Sequence, residues 1–333
     1  MPMESRSLAV VACLLLLSAA CAQTITWQQV KPMPIGKGGQ VCGVVEGKVL
    51  VAGGTHWIDG ETKVWSGDLY VYDPTQDTWS TGPEMPVALS YGTGGAIGDR
   101  LYVVSGSDGV RDYADVWLCE PTATGYRWLR GPSLPAPRIY GTSAVIGTRL
   151  YVFGGADGNA LAGELYDDVL MLDTARLEEG WQVLGQMPGA GRTLMTAAAV
   201  GTRVYLFGGY MRRREGFANS RDALVFDAGS GSWGRVPRMP WAPRCADAIA
   251  VGDQAYLLGG YVEWRGTADV DESFTDRILR FDPQRGTYAD AGTLPIPNCG
   301  MTPQLLPDSR IFVCGGEDEK KHRTDLTAIG TLQ

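Results

Sequence analysis

Histidine is nearly absent from this chain. Its 333 residues hold only two, His56 and His322. They do not combine with tyrosines and a cysteine into a copper-oxidase centre, and no Cys/His spacing suits zinc. Gly-x-Ser-x-Gly and a phosphate loop are both missing, which removes the hydrolases and nucleotide-binding proteins that depend on them. Basic clusters are scarce: the net charge is −8, and the one run of three arginines, Arg212-Arg213-Arg214, is read as an exposed loop. This balance argues against a nucleic-acid partner. Beyond residue 22 the cysteines are Cys42, Cys119, Cys245, Cys299 and Cys314. They are odd in number and irregular in spacing, so they form no disulfide framework. They read as buried small hydrophobes, with one pair among Cys245, Cys299 and Cys314 left open in an oxidising compartment. The long apolar run is Leu8 to Leu17, too short to span a membrane. Arg6 precedes it and Ala20-Cys21-Ala22 follows it, which predicts a signal peptide over residues 1–22 and cleavage before Gln23. The alternative is a lipoprotein site at Leu17-Ser18-Ala19-Ala20-Cys21, with Cys21 lipidated. Either way the protein is expected to be exported, periplasmic or secreted, with no transmembrane segment.

Glycine and proline are plentiful, at 45 and 19 residues, as many short strands and turns require. The glycines are ordered. A unit of about fifty residues occurs six times, each copy reaching a hydrophobic run that ends in a glycine pair. The pairs are Gly53-Gly54, Ser105-Gly106 in variant form, Gly154-Gly155, Gly208-Gly209, Gly259-Gly260 and Gly315-Gly316. Each copy closes on an aromatic residue: Trp79, Trp128, Trp181, Trp233, Tyr288 and, out of order, Trp27. This pattern predicts an all-β fold, a six-bladed β-propeller over residues 23–333 as one domain, although length alone would suggest two. Each blade reads as four strands. In the third they are Tyr140 to Ile146, Arg149 to Phe153, Val169 to Asp173 and the stretch around Trp181. Thr24-Ile25-Thr26-Trp27 is an outer strand without inner partners, and the chain ends after a third strand near Leu332. The two fragments are expected to pair, closing the ring and removing a free sheet edge.

The repeat is its own control: what all copies share is architecture, and what one copy has alone is a candidate for function. About sixteen residues before each glycine pair stand Lys37, Leu89, Arg138, Arg192, Arg244 and Asn298. Four of these six are basic in an acidic chain, so Lys37, Arg138, Arg192 and Arg244 are candidate binders of an anionic ligand in a central channel. After the glycine pairs stand Thr55, Ser107, Ala156, Tyr210, Tyr261 and Glu317. Only the last is a carboxylate, and Arg323 follows six residues later. Asp318 to Lys321, between them, read as a solvated charged loop.

Glycine pair, closing tryptophan and an aspartate near the third strand (Asp68, Asp115, Asp168, Asp222, Asp276, Asp325) together resemble the kelch repeat. In such repeats a basic residue entering the first strand is common. Gly316-Glu317 with Arg323-Thr324-Asp325 resembles the Gly-Glu-x5-Arg-Thr-Asp motif of the N-acetylneuraminate epimerases, the sialic acid mutarotases, here in a circularly permuted arrangement. That resemblance implies Glu317 and Arg323 as the active-site pair, with no metal or cofactor and a small anionic sugar as substrate. Mutarotation needs a base at the anomeric hydroxyl and an acid at the ring oxygen, and one carboxyl raised by partial burial can serve both in turn. Arginine suits the sugar carboxylate. His322 is expected to point away, and His56 and Trp57 either contact the sugar or pack in their loop. Sialoside hydrolysis is not expected, because the turns before Trp79 and Trp233 form no aspartate box. The rival reading is a non-catalytic propeller that binds a glycan or protein, with Tyr261, Glu263, Trp264, Arg265, Asp269, Asp271 and Glu272 as an interface. A homo-oligomer is left open.

Overall fold

The computed structural model describes residues 23–158, 163–214, 216–265 and 270–333. The segment read as a signal peptide lies outside the described residues, and among those described no helix is long and apolar enough to cross a membrane. The chain is all-β, with a single 3-10 turn at Leu177–Glu179 among the described residues.

Sheet one pairs Val41–Val45, Lys48–Ala52, Leu69–Asp73 and Thr78–Thr81 in that order. Sheet two pairs Thr93–Ile97, Arg100–Ser107, Asp112–Thr122 and Gly125–Arg130. Sheet three pairs Thr142–Ile146, Arg149–Phe153, Asp168–Asp173 and Gln182–Gln186. Sheet four pairs Arg192–Val200, Arg203–Arg213, Ala223–Asp227 and Ser232–Val236, with Gly216–Asn219 added to its second strand. Sheet five pairs Asp247–Val251, Gln254–Leu258, Arg277–Asp282 and Thr287–Thr293. Sheet six pairs Gln304–Leu305, Ile311–Cys314 and Thr327–Leu332, and its outer strand is Ile25–Gln29 from the other end of the chain. Trp27 stands opposite Gly330 in that antiparallel pair. The expected inner strand of sheet three begins at Thr142, not Tyr140, because Tyr140 is left-handed (φ 56°). Its outer strand starts at Gln182, after the 3-10 turn. Arg212 and Arg213 end a strand that folds back on Gly216–Asn219, so the basic run sits on an exposed hairpin and not in a loop.

Six hydrophobic clusters fill the spaces between consecutive sheets. Sheets one and two share Val41, Leu50, Leu101 and Val103. Sheets six and one share Phe312, Cys314, Val49 and Tyr72. The others join two to three, three to four, four to five and five to six in the same way. Each strand alternates its side chains between these two spaces, so the second strands read as nearly continuous apolar runs. The closing aromatics also reach across. Trp79 donates its Nε1–H to the Lys31 carbonyl (2.9 Å), Trp128 to Pro83 (2.8 Å) and Trp181 to Pro132 (2.8 Å), while the Tyr288 hydroxyl donates to Pro237 (2.7 Å).

The glycine pair is the clasp between sheets. Gly54 donates its N–H to Leu89 (3.0 Å), Gly155 to Arg192 (3.0 Å), Gly260 to Asn298 (2.8 Å) and Gly316 to Lys37 (2.7 Å), each acceptor being a carbonyl that enters the next sheet. A Cβ on Gly315, at φ +67°, would collide with the Lys37 carbonyl, so only glycine allows this approach.

Candidate functional site

The first strands of the six sheets numbered above line one cavity of about 1170 Å³. Its wall carries a belt of left-handed residues: Gly39, Tyr91, Tyr140, Leu194, Cys245 and Gly300. The first five are linked in series by backbone hydrogen bonds. Tyr91 donates to Gly39 (2.8 Å), Tyr140 to Tyr91 (2.8 Å), Leu194 to Tyr140 (2.9 Å) and Cys245 to Leu194 (3.0 Å). Left-handed backbone costs a side-chain-bearing residue on the order of 1–3 kcal/mol, so the bonded series must hold Tyr91, Tyr140, Leu194 and Cys245 in place. The result is an aromatic wall in which the Tyr91 and Tyr140 rings meet at 4.7 Å.

At the cavity mouth the residue after each glycine pair faces the strand entry of its own sheet. Glu317 donates its N–H to Cys299 (2.8 Å) and accepts from the same residue (3.1 Å). Its carboxylate forms an ion pair with Arg323, the guanidinium being almost fully buried. Burial works against the Arg323 charge, but Glu317 and Tyr91 more than offset it and hold the guanidinium above its ordinary range. Arg323 also donates through Nη2 to the Tyr91 hydroxyl (3.5 Å), which contacts the Thr55 hydroxyl (3.1 Å). Nε of Arg323 is buried without a partner among the described residues.

The other basic candidates divide. Arg244 lines the cavity, its guanidinium sandwiched between the Tyr210 and Tyr261 rings (4.6 Å to each) and bonded to Asn219 Oδ1 (2.9 Å). Lys37, Arg138 and Arg192 do not line it. Lys37 is fully buried, and its Nζ bonds Ser66 (2.8 Å) and Asp68 (2.7 Å). Burial pulls its ammonium below the ordinary range and Asp68 offsets part of that. Arg138 forms a two-pronged ion pair with Asp168 and stacks on Tyr166 (4.0 Å). Arg192 is buried, which lowers its pKa, and the charge of Asp222 offsets part of that. The physical reason is shared: this position is where the preceding sheet clasps the chain, so its side chain turns into the wall beside the third-strand aspartate.

Residues outside the expected set complete the site. Lys320 and Lys321, expected in a solvated loop, stand on the cavity rim, with Lys321 5.7 Å from the Trp57 ring. Lys63 lies over the rings of Trp57 (5.5 Å) and Tyr91 (4.7 Å). Trp57 lines the cavity and His56 does not. His322 is turned outward and bonds Asp318. Two carboxylates line the cavity among the described residues, Glu317 and Asp247. Asp247 accepts the N–H groups of Met301 (2.8 Å) and Thr302 (3.1 Å), and also that of Gly300. Burial pushes its carboxyl up to about 6, with the three N–H bonds working in the other direction. The repeat holds the signal. Twelve residues before the glycine pairs stand Val41, Thr93, Thr142, Thr196, Asp247 and Pro303, and only sheet five has a carboxylate there.

The five cysteines among the described residues are free thiols, with Cys299 in contact with Cys245 and Cys42 with Cys314. Of the rival interface, Tyr261–Arg265 pairs with Val270–Phe274 as a hairpin, while Asp269 and the side chains of Trp264, Arg265, Asp271 and Glu272 lie outside the described residues.

A family model for the KLHDC2/KLHL20/DRC7 Kelch-repeats domain matches residues 96–316, and one for the Kelch motif matches residues 38–86. The chain belongs to the kelch-repeat family. Among curated relatives this kelch protein is 25% identical over 278 residues to the N-acetylneuraminate epimerase of Haemophilus influenzae, covering 75% of this chain and 59% of the relative. It is 22% identical over 198 residues to N-acetylneuraminate epimerase 1 of Escherichia coli O6:H1, covering 51% and 53%. It is 25% identical over 146 residues to Kelch-like protein 35 of Mus musculus, covering 43% and 22%. The matched stretches thus span little more than half of the epimerases' own length.

Proposed function

We propose that residues 23–333 form one six-bladed kelch propeller, its ring closed by the N-terminal strand. In this reading the protein is exported after loss of residues 1–22 and is a mutarotase, an isomerase that interconverts the α and β anomers of N-acetylneuraminate or a related 2-keto sugar acid. The observation that carries the reading is the charge of the cavity. In a chain of net charge −8, its lining among the described residues holds Lys63, Arg244, Lys320, Lys321 and Arg323 against two carboxylates, one of them ion-paired to Arg323. Cations converging on a partly enclosed, aromatic-walled space attract an anionic ring-shaped ligand. The names of the epimerase relatives point to the same chemistry.

Glu317 is the base for the anomeric hydroxyl, and Arg323, held by Glu317 and Tyr91, offers its remaining N–H groups to the sugar carboxylate. Ring opening gives a ketone, rotation exposes its other face, and reclosure gives the second anomer. No metal or cofactor enters this scheme. The test is anomer exchange of freshly released α-N-acetylneuraminate, followed by proton NMR. The wild type is expected to accelerate exchange, and Glu317→Ala to lose on the order of 10²–10⁴-fold of that rate. A folded wild type without acceleration would sink the mutarotase reading and leave a non-catalytic binding module.

A further inference from the structure

We propose that Asp247 is a second acid–base group of this site, giving the sugar ring oxygen its proton while Glu317 takes the one on the anomeric hydroxyl. The inference rests on the mutarotase reading and assigns a residue that the Glu-x5-Arg motif does not contain.

Three observations carry it. First, Asp247 and Glu317 are the cavity's carboxylates among the described residues, and each is the lone acid at its repeat position. Second, both are fixed to one short segment. Glu317 is bonded through its backbone to Cys299 in both directions, and the Asp247 carboxylate receives the N–H groups of Gly300, Met301 and Thr302. Cys299 to Thr302 spans at most about 10 Å even if fully extended, so both acids are anchored to the same short stretch of the cavity wall. Third, Asp247 stands where the belt of left-handed residues breaks. Tyr91, Tyr140, Leu194 and Cys245 each donate to the carbonyl of the residue before, whereas the Gly300 N–H goes to Asp247. Sheet five thereby supplies a carboxylate acceptor where the four other bonds of the belt use a backbone carbonyl.

The two acids also differ in surroundings. Glu317 faces a guanidinium. Asp247 has no ion pair among the described residues; the titratable groups whose charge it affects are the thiols of Cys42 and Cys299, and Glu317 lies across the same segment. Burial raises its carboxyl to about 6, so it can hold a proton where an ordinary aspartate does not. The proton balance closes. Glu317 takes the anomeric proton, the bond from the anomeric carbon to the ring oxygen breaks, and the ring oxygen takes the Asp247 proton. After rotation the new hydroxyl attacks the other face of the ketone, returns its proton to Asp247, and Glu317 protonates the new anomeric oxygen.

The experiment is the same NMR exchange of α-N-acetylneuraminate, run from about pH 5 to about pH 9 on the wild type, Asp247→Asn and Glu317→Ala, with thermal melts alongside. The expected result is a loss on the order of 10²-fold in Asp247→Asn, and a wild-type rate that declines as pH rises above about 6. An active wild type with a folded Asp247→Asn of equal rate and equal pH profile overturns this inference and leaves the mutarotase reading intact. A silent wild type overturns both. If Asp247→Asn does not fold, the wild-type profile decides, and a rate that does not fall across that range overturns the assignment.

Discussion

Gly38 lies directly beneath the stem of Arg323. A Cβ added at Gly38 would sit 2.6 Å from Arg323 Nε and 2.7 Å from Cδ, and Gly38 is not in a left-handed conformation. Alanine there suits the backbone, so its effect falls on the guanidinium. Gly38→Ala should displace Arg323 from Glu317 and Tyr91. It is expected to lower anomer exchange by about tenfold or more while shifting the midpoint of a thermal melt by only a few degrees. A loss of activity matched by a collapse of the fold would contradict this account.

The Asp247 carboxyl ties stability to pH. Its folded pKa, about 6, is above the ordinary 3.8, so the folded state binds this proton more tightly than the unfolded chain does. The associated stability is complete below about pH 4 and is lost as pH rises through about 6. Two pH units correspond to no more than about 3 kcal/mol. Asp73, Glu120 and Asp173, which their hydrogen bonds hold below the ordinary range, work in the opposite direction and are unaffected by a change at Asp247. The quantity to measure is therefore the difference in melting temperature between wild type and Asp247→Asn, which should move against the wild type between about pH 4 and about pH 7.

Two left-handed glycines should respond differently to alanine. Gly315 (φ +67°) faces the Lys37 carbonyl inside contact distance, whereas a Cβ added to Gly47 (φ +77°), in a hairpin turn, would meet nothing within 4 Å. Gly47→Ala should cost only the backbone penalty, about 1 kcal/mol. Gly315→Ala adds a collision at the junction of sheets six and one and is expected to cost several-fold more. Urea unfolding midpoints compare the two; equal losses would remove the clasp from its structural role.

The fold is largely readable in the sequence because its signals are local. A glycine pair is visible where the backbone needs it, and Trp79, Trp128 and Trp181 mark the outer strands whose indoles reach the neighbouring linker. Glu317 stands out because only one of six equivalent slots is acidic. Lys37, Arg138 and Arg192 mislead for a physical reason: sequence spacing locates a residue along a strand but does not tell whether its side chain enters the cavity or the wall. The glycine clasp and the aspartate partner decide that, and both are contacts between distant parts of the chain. Asp247 is harder to see because its distinction lies at a different repeat position from that of Glu317. Tyr91 and Tyr140 are hidden because no side-chain pattern announces a left-handed residue that is not glycine.

Sheet six is assembled from both ends of the chain, and Thr26 bonds to Thr331 across 305 residues of sequence. Of the six sheets, that one is the last that can form as the polypeptide is made. Five sheets can acquire their internal pairings early, but Ile25–Gln29 has no partner until Thr327–Leu332 has been made. Joining ends so distant costs loop-closure entropy, although this grows only slowly with length. The expectation is a molecule whose final folding step is slow, because it rests on a pairing of very high sequence separation. Until that step is complete, the Glu317–Arg323 pair sits on the sheet that is still waiting for its outer strand.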